Sequence, residues 1–216
     1  MTWFTVVIIV GLLLLARTLF TTTSSREYAL HKKLLTPEEC QAIVDVSGKY
    51  AFDGDDQEPE PVDGKPTWQI DIYSDGDVFN PELWGICQDI YRRHLVRPSK
   101  TLDYVFLRRY RSDERQRLFM HFDECEHAVN ILLSNTSDVD GGQLYIFDRK
   151  SSEDMGERYL HQMPEDMIDA YISAHPNLPI VPYEQGDAVE YRGDKHLHGT
   201  LPVTRGTRYM LAFFFK

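Results

Sequence analysis

The chain has 216 residues, 42% of them hydrophobic and 12% aromatic, and a formal net charge of −11 at pH 7. That is enough for one compact domain with a substantial core and accessory segments. The acidic balance argues against a phosphate-backbone binder, which needs clustered Lys and Arg, and the three widely spaced cysteines, Cys40, Cys87 and Cys125, argue against a disulfide framework or a zinc knuckle.

Residues 3–20, WFTVVIIVGLLLLARTLF, are apolar apart from Arg17 and a few threonines. As a helix these 18 residues reach ~27 Å, close to a ~30 Å hydrocarbon core. No Ala-x-Ala site follows, so an uncleaved single-pass anchor is expected rather than a removed signal. Residues 1–25 are read as this membrane anchor and its stem, the polar TTTSSRE (21–27) forming most of the stem. Arg17, Arg26, Lys32 and Lys33 follow the span, which by charge bias favours a cytosolic domain. The glycosylation sequon Asn135-Thr136-Ser137 requires a lumenal one. The expectation carried forward is a lumenal domain in the secretory pathway, in the endoplasmic reticulum or Golgi.

TPEECQAIVDVSGKY (36–50) predicts a helix, with Thr36 as N-cap, Pro37 at the first helical position and Glu39 closing a capping box. Ile43 and Val46 then face a core. Residues 53–66 are acidic, with Pro and Gly, and read as a solvated loop. WQIDIY (68–73) alternates as a strand. Asn80-Pro81 opens a second helix to about Leu95, burying Leu83, Ile86, Cys87 and Ile90. From about residue 101 the period becomes two, giving the strands TLDYVFLRRY, LFMHFD, AVNILL, QLYIFD, DAVEYR and RYMLAFFF. A short helix from Pro164 to about His175 lies in the insertion before DAVEYR. Helices followed by strands, without βαβ alternation, predict an α+β fold with a sandwich or jelly-roll core over residues 101–216, the jelly-roll form being a double-stranded β-helix, and a flanking helical support region over 26–100.

In a strand, positions i and i+2 share a face, so His121 and Asp123 present an imidazole and a carboxylate together. That is two thirds of the facial triad of two histidines and one carboxylate that holds non-haem Fe(II) with positions left open. His196 and His198 both offer a third ligand, and strand geometry does not choose between them. A cupin-like site using both wants a glutamate a few residues on, and GTLPVTRG (199–206) has none.

The ordered set HFD, GGQLYIF, GDAVEY and HGTLPVTRGTRYMLAFFF resembles the catalytic domain of the iron(II)- and 2-oxoglutarate-dependent dioxygenases, in the prolyl 4-hydroxylase and lysyl hydroxylase branch. The resemblance spans about residues 101–216, and LLTPEECQAIV (34–44) is similar to the first helix of that branch. It implies Fe(II) bound by His121, Asp123 and His198, since the family's basic residue stands ten positions after the second histidine and Arg208 is ten after His198. Arg208 then binds the far carboxylate of 2-oxoglutarate, as a planar guanidinium suits. The resemblance also implies O2 and L-ascorbate as reactants, and a peptidyl-proline substrate. The arginine in GTRY looks more like lysyl hydroxylases, so peptidyl lysine, or a non-catalytic metal-binding module of the same fold, is the alternative. Tyr110 resembles the family tyrosine that hydrogen-bonds 2-oxoglutarate, although its eleven-residue gap to His121 is longer by about two. The expected partners are a protein or peptide substrate and, through the N-terminal segment, a membrane, with no nucleic acid. Asn130 is read as lining the pocket or bonding backbone, His127 as structural or solvated, Cys125 as a half-buried thiol, and Arg108, Arg109 and Arg111 as a solvated strand edge. Gly141 and Gly142 are read as turn residues without chemistry.

Overall fold

The computed structural model describes residues 22–24, 27–52, 65–97, 99–159, 165–175 and 177–216. The apolar run at residues 3–20, and the acidic loop up to residue 64, lie outside the described residues. No helix among the described residues is long and apolar enough to cross a membrane. This overturns the expected single-pass membrane location, and the lumenal placement falls with it. Thr22–Ser24 form strand β1, paired antiparallel with β2 (Tyr28–His31).

The chain begins its helices where capping chemistry predicts. In α1 (Pro37–Ser47) the Glu39 N–H donates to Thr36 Oγ1 at 3.2 Å, and the Thr36 N–H donates to Glu39 Oε2 at 2.8 Å. In α2 (Pro81–Ile90) the Leu83 N–H donates to Asn80 Oδ1 at 3.1 Å. A π-helical turn, Tyr91–Leu95, continues α2 to the predicted end.

The strands are β3 (Gln69–Ser74), β4 (Asp77–Val78), β5 (Leu102–Arg111), β6 (His127–Leu132), β7 (Asp140–Gly141), β8 (Leu144–Ile146), β9 (Ala188–Tyr191), β10 (His198–Thr200), β11 (Val203–Arg205) and β12 (Thr207–Phe215). Eight of them make one sheet in the order β1-β2-β9-β6-β12-β5-β3-β4, and β10-β8 and β11-β7 pair separately. This large antiparallel sheet with short facing pairs is the jelly roll expected from the sequence. β2 and β3 belong to the main sheet, so residues 26–100 contribute strands as well as helices. YALH is too short a run to show its period.

Alternation divides the main sheet. On one face Ile70, Ile72, Val105, Leu107, Val129, Ile131, Leu211 and Phe213 pack against Cys40, Ile43, Leu83, Cys87 and Ile90 of α1 and α2. The other face carries Arg108, Tyr110, Asn130, Leu132, Val189, Tyr191, Arg208, Met210 and Ala212, all buried. Leu144 and Ile146 of β8 close over part of it. This second face lines the interior in which the chemistry sits.

One predicted element differs, and one element was not predicted. LFMHFD is not a strand, since only His121 forms a bridge, to His198. Its neighbours bond at intervals, with the Thr200 N–H donating to the Leu118 carbonyl at 2.9 Å and the Val203 N–H to the Gln116 carbonyl at 2.9 Å. An unpredicted helix α3 (Arg149–Tyr159) precedes α4 (Glu165–Ala174), which is the short helix expected from Pro164. Asp148 starts α3 by accepting from the Ser151 N–H at 2.9 Å.

Candidate metal centre

His121, Asp123 and His198 converge, each offering one ligand atom, with those atoms within 4.8 Å of one another. His121 Nε2 stands 3.3 Å from Asp123 Oδ1, and His198 Nε2 stands 3.4 Å from Asp123 Oδ2. His198 reaches this point from β10, and the bridge to His121 brings in the other two. The backbone fixes both rings. His121 Nδ1 lies 2.7 Å from the Phe119 carbonyl, and His198 Nδ1 lies 3.0 Å from the His196 carbonyl. A carbonyl only accepts, so each Nδ1 carries the proton and each Nε2 turns a lone pair towards the carboxylate. Three acceptors aimed at one point repel unless a cation or a proton lies among them. A divalent ion with a preference for imidazole and carboxylate fits this donor set.

The titration of the pair agrees. Burial alone raises a carboxyl, but the charge and hydrogen bonds of His198 and His121 outweigh it and hold Asp123 far below the usual carboxylate range. Burial alone lowers an imidazole, but Asp123 outweighs it and raises His198. Gly193 makes room for the carboxylate, since a Cβ there would stand 2.7 Å from Asp123 Cβ and 2.9 Å from its Oδ2.

Arg208 is 2% exposed, on the interior face of β12. Its Nη2 donates to the Tyr183 hydroxyl, and its guanidinium carbon lies 5.2 Å from the centre of the Tyr110 ring, the register partner across β5. Its Nη1 is buried without a hydrogen-bond partner among the described residues. A buried cation with an unused donor fits an anionic ligand such as a carboxylate. It borders a cavity of about 100 Å³ shared with Leu132, Val139, Gly142, Val181 and Tyr183. Gly142 is more than a turn residue. With φ +71°, it lies where a Cβ would meet Arg208 Cδ at 2.7 Å.

Of the other residues singled out in the sequence, Tyr110 is 1% exposed and packs against Leu118 and Val203. His196 stays outside the metal cluster, its Nδ1 bonded to the Phe147 carbonyl at 3.0 Å. Arg108 is no solvated edge. It is buried on a central strand, and its Nε donates to Gln69 Oε1 at 3.0 Å. Arg109 is half-buried, its Nε and Nη2 donating to Glu114 at 2.9 and 2.7 Å. Cys125 is buried, and burial first, then the nearby Asp123 charge, push its thiol up. Sequence reasoning missed Tyr183, Tyr191 and Gly193. The alternation of AVEY places Tyr191 on the face of Val189, which was a usable signal.

No protein-family model matches the chain, and no curated protein does. Among solved structures it is similar to the viral collagen prolyl hydroxylase vCPH from Paramecium Bursaria Chlorella virus-1 in its 2OG complex, with TM-score 0.51 and 12% identity over 88% of this chain and 94% of that one. It is also similar to HygX from Streptomyces hygroscopicus with nickel and 2-oxoglutarate bound, with TM-score 0.55 and 14% identity over 88% of this chain and 82% of that one. The chain therefore has the jelly-roll fold of the 2-oxoglutarate- and iron(II)-dependent oxygenases, with a His-Asp-His cluster in its interior.

Proposed function

We propose that the protein is an Fe(II)- and 2-oxoglutarate-dependent dioxygenase that hydroxylates a protein side chain, peptidyl proline. One observation carries this reading. The same interior holds three converging acceptor atoms with no donor among them and, separately, a buried arginine with an unused donor. A metal-storage site needs the first and not the second. The shared fold with a viral collagen prolyl hydroxylase supports the choice of proline.

In this reading His121, Asp123 and His198 hold Fe(II) through Nε2, a carboxylate oxygen and Nε2. When bound, the iron and 2-oxoglutarate supply the activation of O2 for C–H hydroxylation, with L-ascorbate as the reductant that maintains the metal. The chain supplies binding and orientation. Arg208 takes the far carboxylate of 2-oxoglutarate, Tyr183 holds the guanidinium plane, and Tyr110 packs beneath it. Leu132, Met210 and Ala212 exclude water from the interior.

The test is mass spectrometry of proline-rich and lysine-containing peptides incubated with the protein, Fe(II), 2-oxoglutarate and ascorbate. A gain of one oxygen atom on proline, dependent on both iron and 2-oxoglutarate, is expected. Oxygen gained on lysine alone corrects the substrate, and no gain with no succinate formed refutes the enzyme.

A further inference from the structure

The ligands of the metal centre are supported in two ways. Both histidines lean on backbone carbonyls, whereas Asp123 leans on side chains. Tyr191 Oη lies 3.3 Å from Asp123 Oδ2, and Asn130 Nδ2 lies 2.9 Å from the same Oη. Counting protons fixes the direction. A carboxylate only accepts, so the phenol donates to Asp123, and an amide NH2 only donates, so Asn130 donates to the phenol. The first contact is long and the second ordinary, as expected when the carboxylate oxygen is also turned towards His198 Nε2 at 3.4 Å.

The sheet builds this chain of contacts. β6 and β9 are neighbours, with Ala128 opposite Tyr191 and Asn130 opposite Val189, so Asn130 and Tyr191 are diagonal neighbours on the interior face. Asn130 is 5% exposed and Tyr191 3% exposed, which shields both contacts from competing water. Asn130 Oδ1 is buried and has no partner among the described residues. The opposite amide orientation would turn Oδ1 to the phenol, draw its proton away and leave Asp123 without its donor. The orientation with Nδ2 on the phenol keeps that donor in place.

We propose that Asn130 and Tyr191 are positioning residues. They form a relay running from Asn130 through Tyr191 to Asp123 that occupies Oδ2, fixes the rotation of the carboxylate and leaves Oδ1 for the cation. The proposal rests on the metal-site reading above. Neither residue touches the cation. They set the geometry in which a ligand meets it, as outer partners of metal ligands do.

The test is anaerobic titration of the full chain with Co(II) alone, read by its visible absorption, with the thermal midpoint of each apo variant measured alongside. Tyr191→Phe keeps the ring and removes the hydroxyl. It is expected to weaken Co(II) binding by about 10-fold and to change the spectrum, because the carboxylate turns. Asn130→Leu is expected to weaken binding less, and to add nothing in the Tyr191→Phe background, since the two act in series. If Tyr191→Phe does not fold, Asn130→Leu alone carries the test. Wild-type affinity and spectrum in the folded variants would overturn the relay while leaving the metal site standing. Independent losses that add and track the thermal midpoints would also overturn it, in favour of packing alone. A wild-type chain that binds no Co(II) would overturn the relay together with the reading beneath it.

Discussion

Arg208→Ala is expected to separate cosubstrate binding from metal binding. Arg208 is 2% exposed, with Nη2 bonded to Tyr183 and Nη1 unpartnered among the described residues. Nη1 is thus available to a carboxylate in the cavity that Arg208 borders. Truncating one partner of a buried charge-assisted contact costs roughly 2–5 kcal/mol. At about 1.4 kcal/mol per tenfold, 2-oxoglutarate affinity should fall by about 30-fold to a few thousand-fold. Arg208→Lys should fall between, since an ammonium keeps the charge and loses the planar fork. The assay is calorimetric titration of 2-oxoglutarate into the Mn(II)-loaded protein, with Mn(II) affinity measured separately. Mn(II) affinity should be unchanged, because the ligand atoms come from His121, Asp123 and His198. Unchanged 2-oxoglutarate affinity in Arg208→Ala, or an equal loss of Mn(II), would refute the assignment of the clamp.

Gly142→Ala should both destabilise the fold, by about 1–3 kcal/mol, and weaken 2-oxoglutarate binding, because the new methyl meets Arg208 Cδ at a positive φ; chemical denaturation and the same titration check the two halves. The rise in melting temperature produced by a divalent metal should grow as pH rises above about 6.5. His198 is raised above its ordinary value of 6.5, so the proton that stabilises the apo pair is lost only as pH rises through that raised value, and metal competes better above it. A metal-induced shift independent of pH would contradict this. The hydrogen bond from His31, against the opposing effect of burial and with help from Arg97, lowers Glu190 from 4.5 to about 2. Its stabilisation is therefore present above about pH 4.5 and is lost as pH falls towards about 2. Glu190→Gln should flatten that part of the acid-unfolding profile, read by circular dichroism.

The sequence carried the site where chemistry and period coincide. Thr36, Pro37 and Glu39 announce a helix by local hydrogen bonding, and the structure contains that capping box. The alternation of RYMLAFFF places Arg208, Met210 and Ala212 on one buried face. His121 and Asp123 come together even though their segment is not a strand, because the bridge to His198 orients them. What was hidden depends on partners distant in the chain. Tyr183 meets Arg208 across 25 positions, and Tyr191 meets Asp123 across 68, so neither contact leaves a local pattern. Arg108 looked solvated because charge marks exposure, but β5 is central and Gln69 satisfies it from β3. The apolar run at residues 3–20 carried the membrane expectation through its composition and length, and the described residues contain no spanning helix to support it.

The most direct measurement is succinate release from 2-oxoglutarate by the wild-type chain, with and without Fe(II), beside His198→Ala and His196→Ala. The account predicts iron-dependent succinate from the wild type and from His196→Ala, and none above background from His198→Ala. Iron-dependent succinate surviving in His198→Ala, or none from the wild type, would contradict it.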